Sequence, residues 1–399
     1  MKDLSKLTTR TISKLVFIAI LLFSLDAFPQ NYIPGNTYLD SNGYVEYIAG
    51  NLPFVISVPH GGYLKPASIP DRNCTGCSYV RDAYTQELAR ELQADFVQKT
   101  GCYPHMVINL LHRVKFDANR DIGDAADGNP VVEQSWYAYH AFIDSAKTQI
   151  EQDYNRGLFI DVHGHGHSIQ RIELGYLLSK TELQFSNNDL NTSTMISQSS
   201  IQSLVGNNLN SYTHAELLRG NSSFGTILSS RGFPAVPSSS IQFPTGNEPY
   251  FSGGYNTNRH SSVSGGVIDG IQMECNHDIR WDSVNRKKFA DSLVDVLIEY
   301  YNIHYNNQFA GNYCNLLSVY YQPEQVFIKA YPNPATEKLF IETSLDEVEV
   351  EIYNSLGQNV LSLNWTGNTI DLSKLNKGFY YIRFSKEGQI IRTMPLIKN

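Results

Sequence analysis

The sequence predicts an α/β protein in which a mainly parallel, mixed sheet has helices on both faces, followed by a small all-β sandwich. Two apolar runs, at residues 53–58 and 158–160, predict buried strands, and each leads into a loop of histidine and glycine. Helical patterns separate such runs, and strands that alternate with helices are typical of a parallel sheet. After Tyr321 the chain changes to short alternating strands and turns, which predicts the sandwich.

Residues 1–30 have the features of a signal peptide. A basic stretch precedes an apolar run at residues 15–23, and that run is too short to span a bilayer comfortably. No later run is long and apolar enough to do so, and we therefore expect an exported mature chain without a transmembrane segment. The net charge of −8 and the lack of a Lys/Arg block give no indication of nucleic-acid binding.

The first domain is predicted to span residues 31–321, beginning with a polar lead-in at residues 31–50. A helix is expected from Asp82 to Gly101, with its apolar residues on one face. Residues 181–224 are rich in Ser and Asn and remain ambiguous, with short helices expected at 201–204 and 213–218. The other predicted elements are strands at 106–111 and 268–275, a short helix followed by a strand within 225–238, and helices at 136–154 and 286–305.

All five cysteines follow the signal peptide. Cys74 and Cys77 have the spacing of half a zinc ribbon, but the chain has no second such pair. A disulfide is therefore the expected state in an oxidising compartment. The odd count leaves a thiol unpaired unless it pairs between chains, and we expect Cys275, inside an apolar strand, to be free.

The loop after the second apolar run indicates a metal site. It carries Asp161, His163, His165 and His167, and ligands of open α/β sheets bind beyond the carboxyl ends of strands. Neutral imidazole suits zinc, and a nearby carboxylate can orient the ligating ring. A solvated loop without a ligand is the alternative, but His60 at the end of another strand favours the metal.

Glu274 lies inside the predicted strand at residues 268–275. Period-two alternation puts Gln272, Glu274 and Asn276 on one face and apolar residues on the other. A buried carboxylate is costly unless it is paired or functional. A salt bridge at the sheet edge is the alternative, but polar residues at the other strand ends favour a functional role.

These residue types predict metal-assisted hydrolysis. Zinc held by two histidines and one carboxylate keeps a position open for water and lowers the pKa of that water. A neighbouring Glu can take the proton and deliver it to a leaving amine, while a guanidinium binds a substrate carboxylate bidentately. Serine hydrolase chemistry is not indicated, because the chain has no Gly-x-Ser-x-Gly elbow.

Five short motifs follow one another across nearly all of residues 52–280. They are Ser57-Val-Pro-His60-Gly-Gly, Asp117-Ala-Asn119-Arg120, Ile160-Asp-Val-His163-Gly, Pro249-Tyr-Phe-Ser-Gly-Gly254 and Ile271-Gln-Met-Glu274. In this order they resemble the N-formylglutamate amidohydrolases, whose phosphorylase/hydrolase-like fold is similar to that of the zinc carboxypeptidases. By this resemblance, His60 and His163 bind Zn²⁺, Asn119 and Arg120 bind the substrate carboxylate, and Glu274 is the general base. Arg259, after the Gly-Gly loop, is a further substrate contact.

The third zinc ligand departs from the carboxypeptidase pattern. Those enzymes use His-x-x-Glu, whereas Tyr63 stands three residues after His60 here. A carboxylate from the next helix must substitute, and Asp82 is preferred to Glu87. An aspartate at a helix start is more often an N-cap, which is the structural alternative for Asp82. Residues 255–262 also differ from the family's usual tract, which leaves the substrate open.

The C-terminal residues carry a second resemblance. The motifs Tyr331-Pro-Asn-Pro-Ala335, Val350-Glu-Ile-Tyr-Asn-Ser-Leu-Gly357 and Gly378-Phe-Tyr-Tyr-Ile-Arg383 resemble the type A C-terminal sorting domain of type IX secretion substrates. The resemblance implies that the type IX machinery recognises residues 326–399 and that the chain passes through the periplasm to be secreted or held at the cell surface. An ordinary accessory β-domain is the alternative. A short linker at residues 322–325 would join the two domains.

The combined prediction is a secreted zinc-dependent amidohydrolase that cleaves an amide bond of an N-acyl amino acid or small peptide bearing a free carboxylate. Two alternatives stay open. One is a noncatalytic surface-binding protein on a hydrolase scaffold, and the other is a cell-wall or poly-glutamate amidase.

Overall fold

The computed structural model describes residues 32–306, 328–343, 345, 347–354, 358–367, 369–386 and 389–399. The chain divides into two compact units, Met1–Leu316 and Leu317–Asn399. The predicted signal peptide and the predicted linker at residues 322–325 lie outside the described residues. A search of the described ranges for helices that could cross a membrane found none.

The first unit is built on a mixed sheet of eight strands within residues 32–306. The strands are β1 (Thr37–Leu39), β2 (Val45–Ile48), β3 (Phe54–Val58), β4 (His105–Asn109), β5 (Gly157–Gly164), β6 (Ile172–Gly175), β7 (Ala235–Val236) and β8 (Ile268–Cys275). Their order across the sheet is β1-β2-β4-β3-β5-β8-β6-β7. The central strands β4, β3, β5 and β8 run parallel, whereas β2 and β6 are antiparallel to β4 and β8, which confirms the predicted mainly parallel sheet.

Helices cover both faces of this sheet, as predicted. The helices are α1 (Thr85–Thr100), α2 (Ile122–Ala126), α3 (Pro130–Tyr154), α4 (Lys180–Leu183), α5 (Asn187–Leu190), α6 (Ser193–Gln198), α7 (Gln202–Asn207), α8 (His214–Arg219), α9 (Phe224–Ser230), α10 (Tyr255–His260), α11 (Asp278–Trp281) and α12 (Ser283–His304), with a 3-10 turn at Ser262–Ser264. The strand residues Ile56 and Ile160 pack against α1 and α12, whereas Val55 and Phe159 pack against α3, because successive strand residues point to opposite faces.

The structure differs from the sequence prediction mainly at the edges of the sheet. Residues 31–50 were expected to be a polar lead-in, but β1 and β2 form an antiparallel pair that extends the sheet beside β4. The apolar pattern of β2 is interrupted by Glu46, which is buried because it pairs with Arg90 at 2.8 Å. Helix α3 begins at Pro130 rather than Trp136, because the Asn129 side chain caps it.

Helix α1 begins at Thr85, after Asp82. Tyr84 is its N-cap residue, with a φ of 66° and no side-chain cap, so the Asp82 carboxylate does not serve as the cap. The Asp82 backbone N–H instead donates to the His60 carbonyl at 3.1 Å. Gly61 allows the start of α1 to lie this close to the end of β3, because a Cβ there would clash with Thr85 and Gln86. The turn before α1 therefore holds Asp82 beside the end of β3.

Cys74, Cys77 and Cys275 are in the states that the sequence indicates. Cys74 and Cys77 form a disulfide, and Cys102 is also disulfide-bonded. Cys275 is buried on β8 and is the free cysteine of the described residues.

The second unit consists of two antiparallel sheets that share one core. The strands are β9 (Ile328–Tyr331), β10 (Lys338–Thr343), β11 (Val348–Asn354), β12 (Asn359–Trp365), β13 (Ile370–Asp371), β14 (Gly378–Lys386) and β15 (Gln389–Lys398). A three-stranded sheet has the order β13-β10-β9, and a four-stranded sheet has the order β12-β11-β14-β15. Residues from both sheets, including Leu339 and Ile352, are buried together, which confirms the predicted sandwich.

Candidate metal centre

The three predicted metal ligands lie together at the carboxyl edge of the central strands. His60 follows β3, and His163 is near the end of β5, the parallel strand beside it. Asp82 Oδ2 lies 3.4 Å from His60 Nδ1 and 3.2 Å from His163 Nδ1. The three residues form a buried group whose ligand atoms all lie within 4.8 Å of one another.

A carboxylate binds the other ring nitrogen of each histidine. His60 Nε2 lies 2.6 Å from Asp117 Oδ1, and His163 Nε2 lies 2.8 Å from Asp161 Oδ2. A ring N–H that donates to a carboxylate fixes the tautomer and leaves the second nitrogen as a metal ligand. Both Nδ1 atoms are therefore free to bind a metal, and both face Asp82 Oδ2.

This donor set fits a divalent metal ion such as zinc. His60 Nδ1 is buried and has no hydrogen-bond partner among the described residues, and such an atom costs free energy unless a ligand takes its lone pair. Although burial acts to raise it, the pKa of Asp82 is held well below its usual range by His60 and His163. Two imidazole nitrogens and an ionised carboxylate are a common ligand set of catalytic zinc.

Arg113 contacts both Asp82 and Asp117. Its Nε donates to Asp117 Oδ2 at 3.0 Å, and its Nη1 lies 3.6 Å from Asp82 Oδ1. Burial would raise the pKa of Asp117, but His60, Arg113 and Arg72 lower it far below its usual value. The guanidinium of Arg113 thus faces the carboxylate oxygens that do not face the histidines. It holds both carboxylates in place and helps to keep Asp117 ionised.

Glu274 lies beside His163 on the neighbouring strand. The register of β5 and β8 pairs these two residues, and β6 places Glu173 on the other side of Glu274. Gln272 Nε2 donates to Glu274 Oε1 at 2.9 Å. Burial raises the pKa of Glu274 to about 8, an effect that His163 opposes and that Asp82 and Glu173 reinforce. A buried carboxyl group of this kind next to a ligand cluster suits proton transfer.

Asn119 lies at the same centre. Its Nδ2 is 3.3 Å from His163 Nε2, and its Oδ1 accepts from the backbone N–H of Asn256 at 2.7 Å. Asn256 also donates through Nδ2 to Asp161 Oδ1 at 3.4 Å. The start of α10 is therefore fixed to the loop that carries Asn119 and to the carboxylate behind His163.

The two predicted substrate-binding arginines lie around Trp136. The Arg120 side chain is exposed and forms no ion pair with the rest of the described chain, while its carbonyl accepts from Trp136 Nε1 at 3.0 Å. Arg259 lies 5.2 Å from the centre of the Trp136 ring and 3.9 Å from Asp144. The structure brings neither guanidinium into the His60–Asp82–His163 group.

Glu87 lies outside the metal-binding group. It belongs to α1, and its Oε1 accepts a hydrogen bond from the Tyr63 hydroxyl. The group of potential ligand atoms found within the described residues contains Asp82 and not Glu87. Of the two carboxylates considered from the sequence, the geometry favours Asp82.

A second group of potential ligands, His165, His167 and Glu173, is hydrogen-bonded internally. His165 Nε2 donates to the Arg171 carbonyl at 2.8 Å, and His165 Nδ1 accepts from the His167 N–H at 3.1 Å. His167 Nδ1 lies 2.8 Å from Glu173 Oε1. Unlike His60, His165 has no free nitrogen for a metal.

The roles of Asp117 and Arg113 were missed from the sequence. The sequence did indicate a nearby carboxylate that orients a ligating ring, and Asp161 has this position because it lies two residues before His163 on one strand and so shares its face. Asp161 is further held by the Ser57 hydroxyl, which donates to Oδ1 at 2.5 Å. Asp117 and Arg113 belong to the segment after β4, whose path cannot be obtained from sequence pattern.

Replacing Asp117 with Asn is expected to weaken metal binding by about 10–100-fold, because a neutral amide does not fix the proton on His60 Nε2 as the carboxylate does. Metal affinity measured by competition with a chelator tests this. Asp144→Asn is the matched control, since Asp144 lies 3.3 Å from the ring nitrogen of His260, a histidine outside the metal-binding group. Unchanged metal affinity in a folded Asp117→Asn variant would contradict the assignment.

Solved structures of two amidases are among those similar to this chain. An N-formylglutamate amidohydrolase from Ralstonia eutropha JMP134 has 12% identity and a TM-score of 0.38, over 65% of this chain and 97% of its own. A gene product from Agrobacterium tumefaciens has 10% identity and a TM-score of 0.39, over 64% and 94%. An apo N-acetylmuramyl-L-alanine amidase from Mycobacterium abscessus has 13% identity and a TM-score of 0.27, over 63% and 99%. No curated protein matches the chain.

The C-terminal residues match a known family. Residues 329–398 match the secretion system C-terminal sorting domain, and this range includes nearly all of the second unit that the structure describes. Such a domain implies export, with the protein secreted or held at the cell surface. The C-terminal part of this chain is therefore a sorting domain of the type IX secretion system.

Proposed function

We propose that the first unit is a zinc-dependent amidohydrolase that acts outside the cell on an N-acyl amino acid or small peptide with a free carboxylate. One observation carries the proposal. His60 Nδ1, His163 Nδ1 and Asp82 Oδ2 converge while a carboxylate binds each Nε2. A buried glutamate, Glu274, lies in register with His163.

The residues around the candidate metal centre have separate roles in amide hydrolysis. Bound zinc would act as a Lewis acid and lower the pKa of a water molecule towards neutrality. Glu274 takes the proton from the attacking water and delivers it to the leaving amine, so that the products are a carboxylate and an amine. Gln272 holds the Glu274 carboxylate by donating to Oε1. Asn119 and Arg120 bind the carboxylate of the substrate, which fixes the amide relative to Glu274.

Metal removal and restoration tests this function. The purified protein is expected to hydrolyse N-formyl or N-acetyl amino acids, to lose the activity on chelation and to regain it with stoichiometric zinc. Each substrate is compared with its C-terminal amide, which lacks the carboxylate. Metal-loaded, folded protein that hydrolyses no carboxylate-bearing amide would contradict the proposal and favour a noncatalytic binding protein.

Replacing Arg120 with Lys is expected to raise KM for free-carboxylate substrates by about tenfold or more and to leave their amidated analogues little changed. Lysine keeps the charge but cannot form the two parallel hydrogen bonds of a guanidinium. Initial rates on matched acid and amide substrates measure the effect. Equal losses on both would show that Arg120 has a structural role.

The sorting domain is expected to contribute nothing to the chemistry. A chain that ends near Tyr321, the end of the predicted first domain, should bind the metal and turn over substrate as the full mature chain does. In a host with type IX secretion, it should remain in the periplasm. A truncated chain that is folded and metal-loaded but inactive would contradict this division of roles.

A further inference from the structure

His167, on the loop after β5, is a half-buried histidine whose ring is held on one side and open on the other. Its Nδ1 lies 2.8 Å from Glu173 Oε1, and the Glu173 side chain is only 1% exposed. The imidazole also stacks on Phe251, with the ring centres 4.8 Å apart and the two planes within 15° of parallel. Within the described part of the chain, Nε2 forms no hydrogen bond. It is therefore the ring atom that can contact a ligand.

Glu173 is itself fixed in position. Its Oε2 accepts a hydrogen bond from the Phe251 backbone N–H at 2.9 Å. The loop that carries Phe251 is fixed against β6 in turn, because the Tyr250 hydroxyl donates to the Leu174 carbonyl at 2.6 Å. Both oxygens of Glu173 are thus used, and the carboxylate cannot turn away from His167. A ring N–H that donates to a buried carboxylate has a fixed orientation, which is more than a solvated loop histidine needs.

The strand register places this pair beside the proposed base. His163, Glu274 and Glu173 are directly paired across β5, β8 and β6, and directly paired residues point to the same face of a sheet. Neighbouring strands are roughly 5 Å apart, so Glu173 lies one strand from Glu274 and two from His163. Glu173 is also close enough to Glu274 to raise its pKa. His167 therefore lies at the candidate metal centre, on the β6 side of Glu274.

The proposed carboxylate-binding residues lie on the other side of the centre. The segment of Asn119 follows β4, and β4 and β6 lie on opposite sides of β5 in the sheet. The loop before α10 connects the two sides, because the Phe251 N–H bonds Glu173 and the Asn256 N–H donates to Asn119 Oδ1 at 2.7 Å. In an N-acyl amino acid, the carboxylate and the acyl group lie on opposite sides of the amide nitrogen. A substrate whose carboxylate binds Asn119 therefore directs its acyl group towards His167.

We propose that His167 is a further catalytic residue, whose Nε2–H donates a hydrogen bond to the acyl oxygen of the substrate as that oxygen gains negative charge. The inference rests on the proposed amidohydrolase function, in which Glu274 transfers the proton. In the protonated ring, Nδ1–H donates to Glu173, whose carboxylate balances the positive charge, and Nε2–H meets the oxyanion. A fixed donor aimed at developing charge stabilises the transition state more than the bound substrate. His167 forms no covalent bond, so the balance of the hydrolysis is unchanged.

Replacing His167 with Gln is expected to lower kcat by about 100–1,000-fold, the usual effect of removing one such donor, and to change KM little. The substrate is the N-acetyl amino acid that the wild type hydrolyses fastest. Metal content, measured in parallel, should stay at the wild-type level, because His167 does not belong to the His60–Asp82–His163 group. Glu173→Gln should lower kcat in the same direction, because its neutral amide cannot balance the charge of the ring.

The affinity for a transition-state analogue gives a readout that does not depend on turnover. In the methylphosphinyl analogue of the same substrate, a tetrahedral P(O)OH group replaces the acyl carbonyl and CH2 replaces the amide NH. Titration calorimetry is expected to show that His167→Gln weakens binding of this analogue at least about tenfold. The affinity for the free amino acid, which lacks the acyl oxygen, should be unchanged.

His277→Gln is the matched control and should keep the wild-type kcat. His277 also stacks on an aromatic ring, that of Trp281 at 4.9 Å, and its Nδ1 lies 3.3 Å from Asp278 Oδ1, but its side chain is 53% exposed. His167→Asn serves if the Gln variant does not fold. A folded, metal-loaded His167→Gln variant with the wild-type kcat, or with a change in KM alone, would overturn the proposal. A wild-type protein that hydrolyses no N-acyl amino acid would instead contradict the proposed function itself.

Discussion

Replacing Glu274 with Gln is expected to lower kcat by roughly two to four orders of magnitude, the usual worth of a positioned proton-transfer group. Glutamine keeps the size of the side chain and removes its basicity. It can still accept the hydrogen bond that Gln272 donates at 2.9 Å, so the strand pairing should persist. Steady-state kinetics together with metal analysis of the variant measures both properties.

Two results would contradict the role assigned to Glu274. A Glu274→Gln variant that loses its metal would show that Glu274 is a ligand rather than the base. A variant that keeps both its metal and the full rate would show that another group accepts the proton. Glu46→Gln is the control, because Glu46 is also buried on a strand but pairs with Arg90, on β2 next to the edge strand β1.

Replacing Asp82 with Ala is expected to reduce metal occupancy to background and to abolish hydrolysis. Asp82 Oδ2 is the oxygen that faces both His60 Nδ1 and His163 Nδ1, and two imidazoles alone are an incomplete ligand set for catalytic zinc. Glu87→Ala is the matched control from the same region and should keep its metal. Full occupancy in Asp82→Ala together with loss in Glu87→Ala would assign the third ligand to Glu87.

The parts of this fold that the sequence predicted are those that local pattern determines. The strand β8, Ile268–Cys275, was predicted with its observed bounds, because alternation and apolar content both mark it. The same pattern placed His60 and His163 at the ends of two strands, and parallel strands bring their carboxyl ends to one edge. Glu274 was found because a carboxylate interrupts an apolar run.

The parts that were missed depend on contacts between distant segments. Strand β6 has four residues and is identified by its partner β8 rather than by its own composition. The carboxylate of Asp117 reaches His60 across 57 positions of sequence, and Arg113, from the segment after β4, lies 3.6 Å from Asp82. Sequence pattern carries no information on such contacts.

The metal content of the exported protein, purified without a chelator, tests the central claim most directly. Elemental analysis by mass spectrometry is expected to find about one zinc per chain, because His60, Asp82 and His163 form one open three-ligand site. Folded protein that contains no transition metal, and takes up none when zinc is added, would contradict the account.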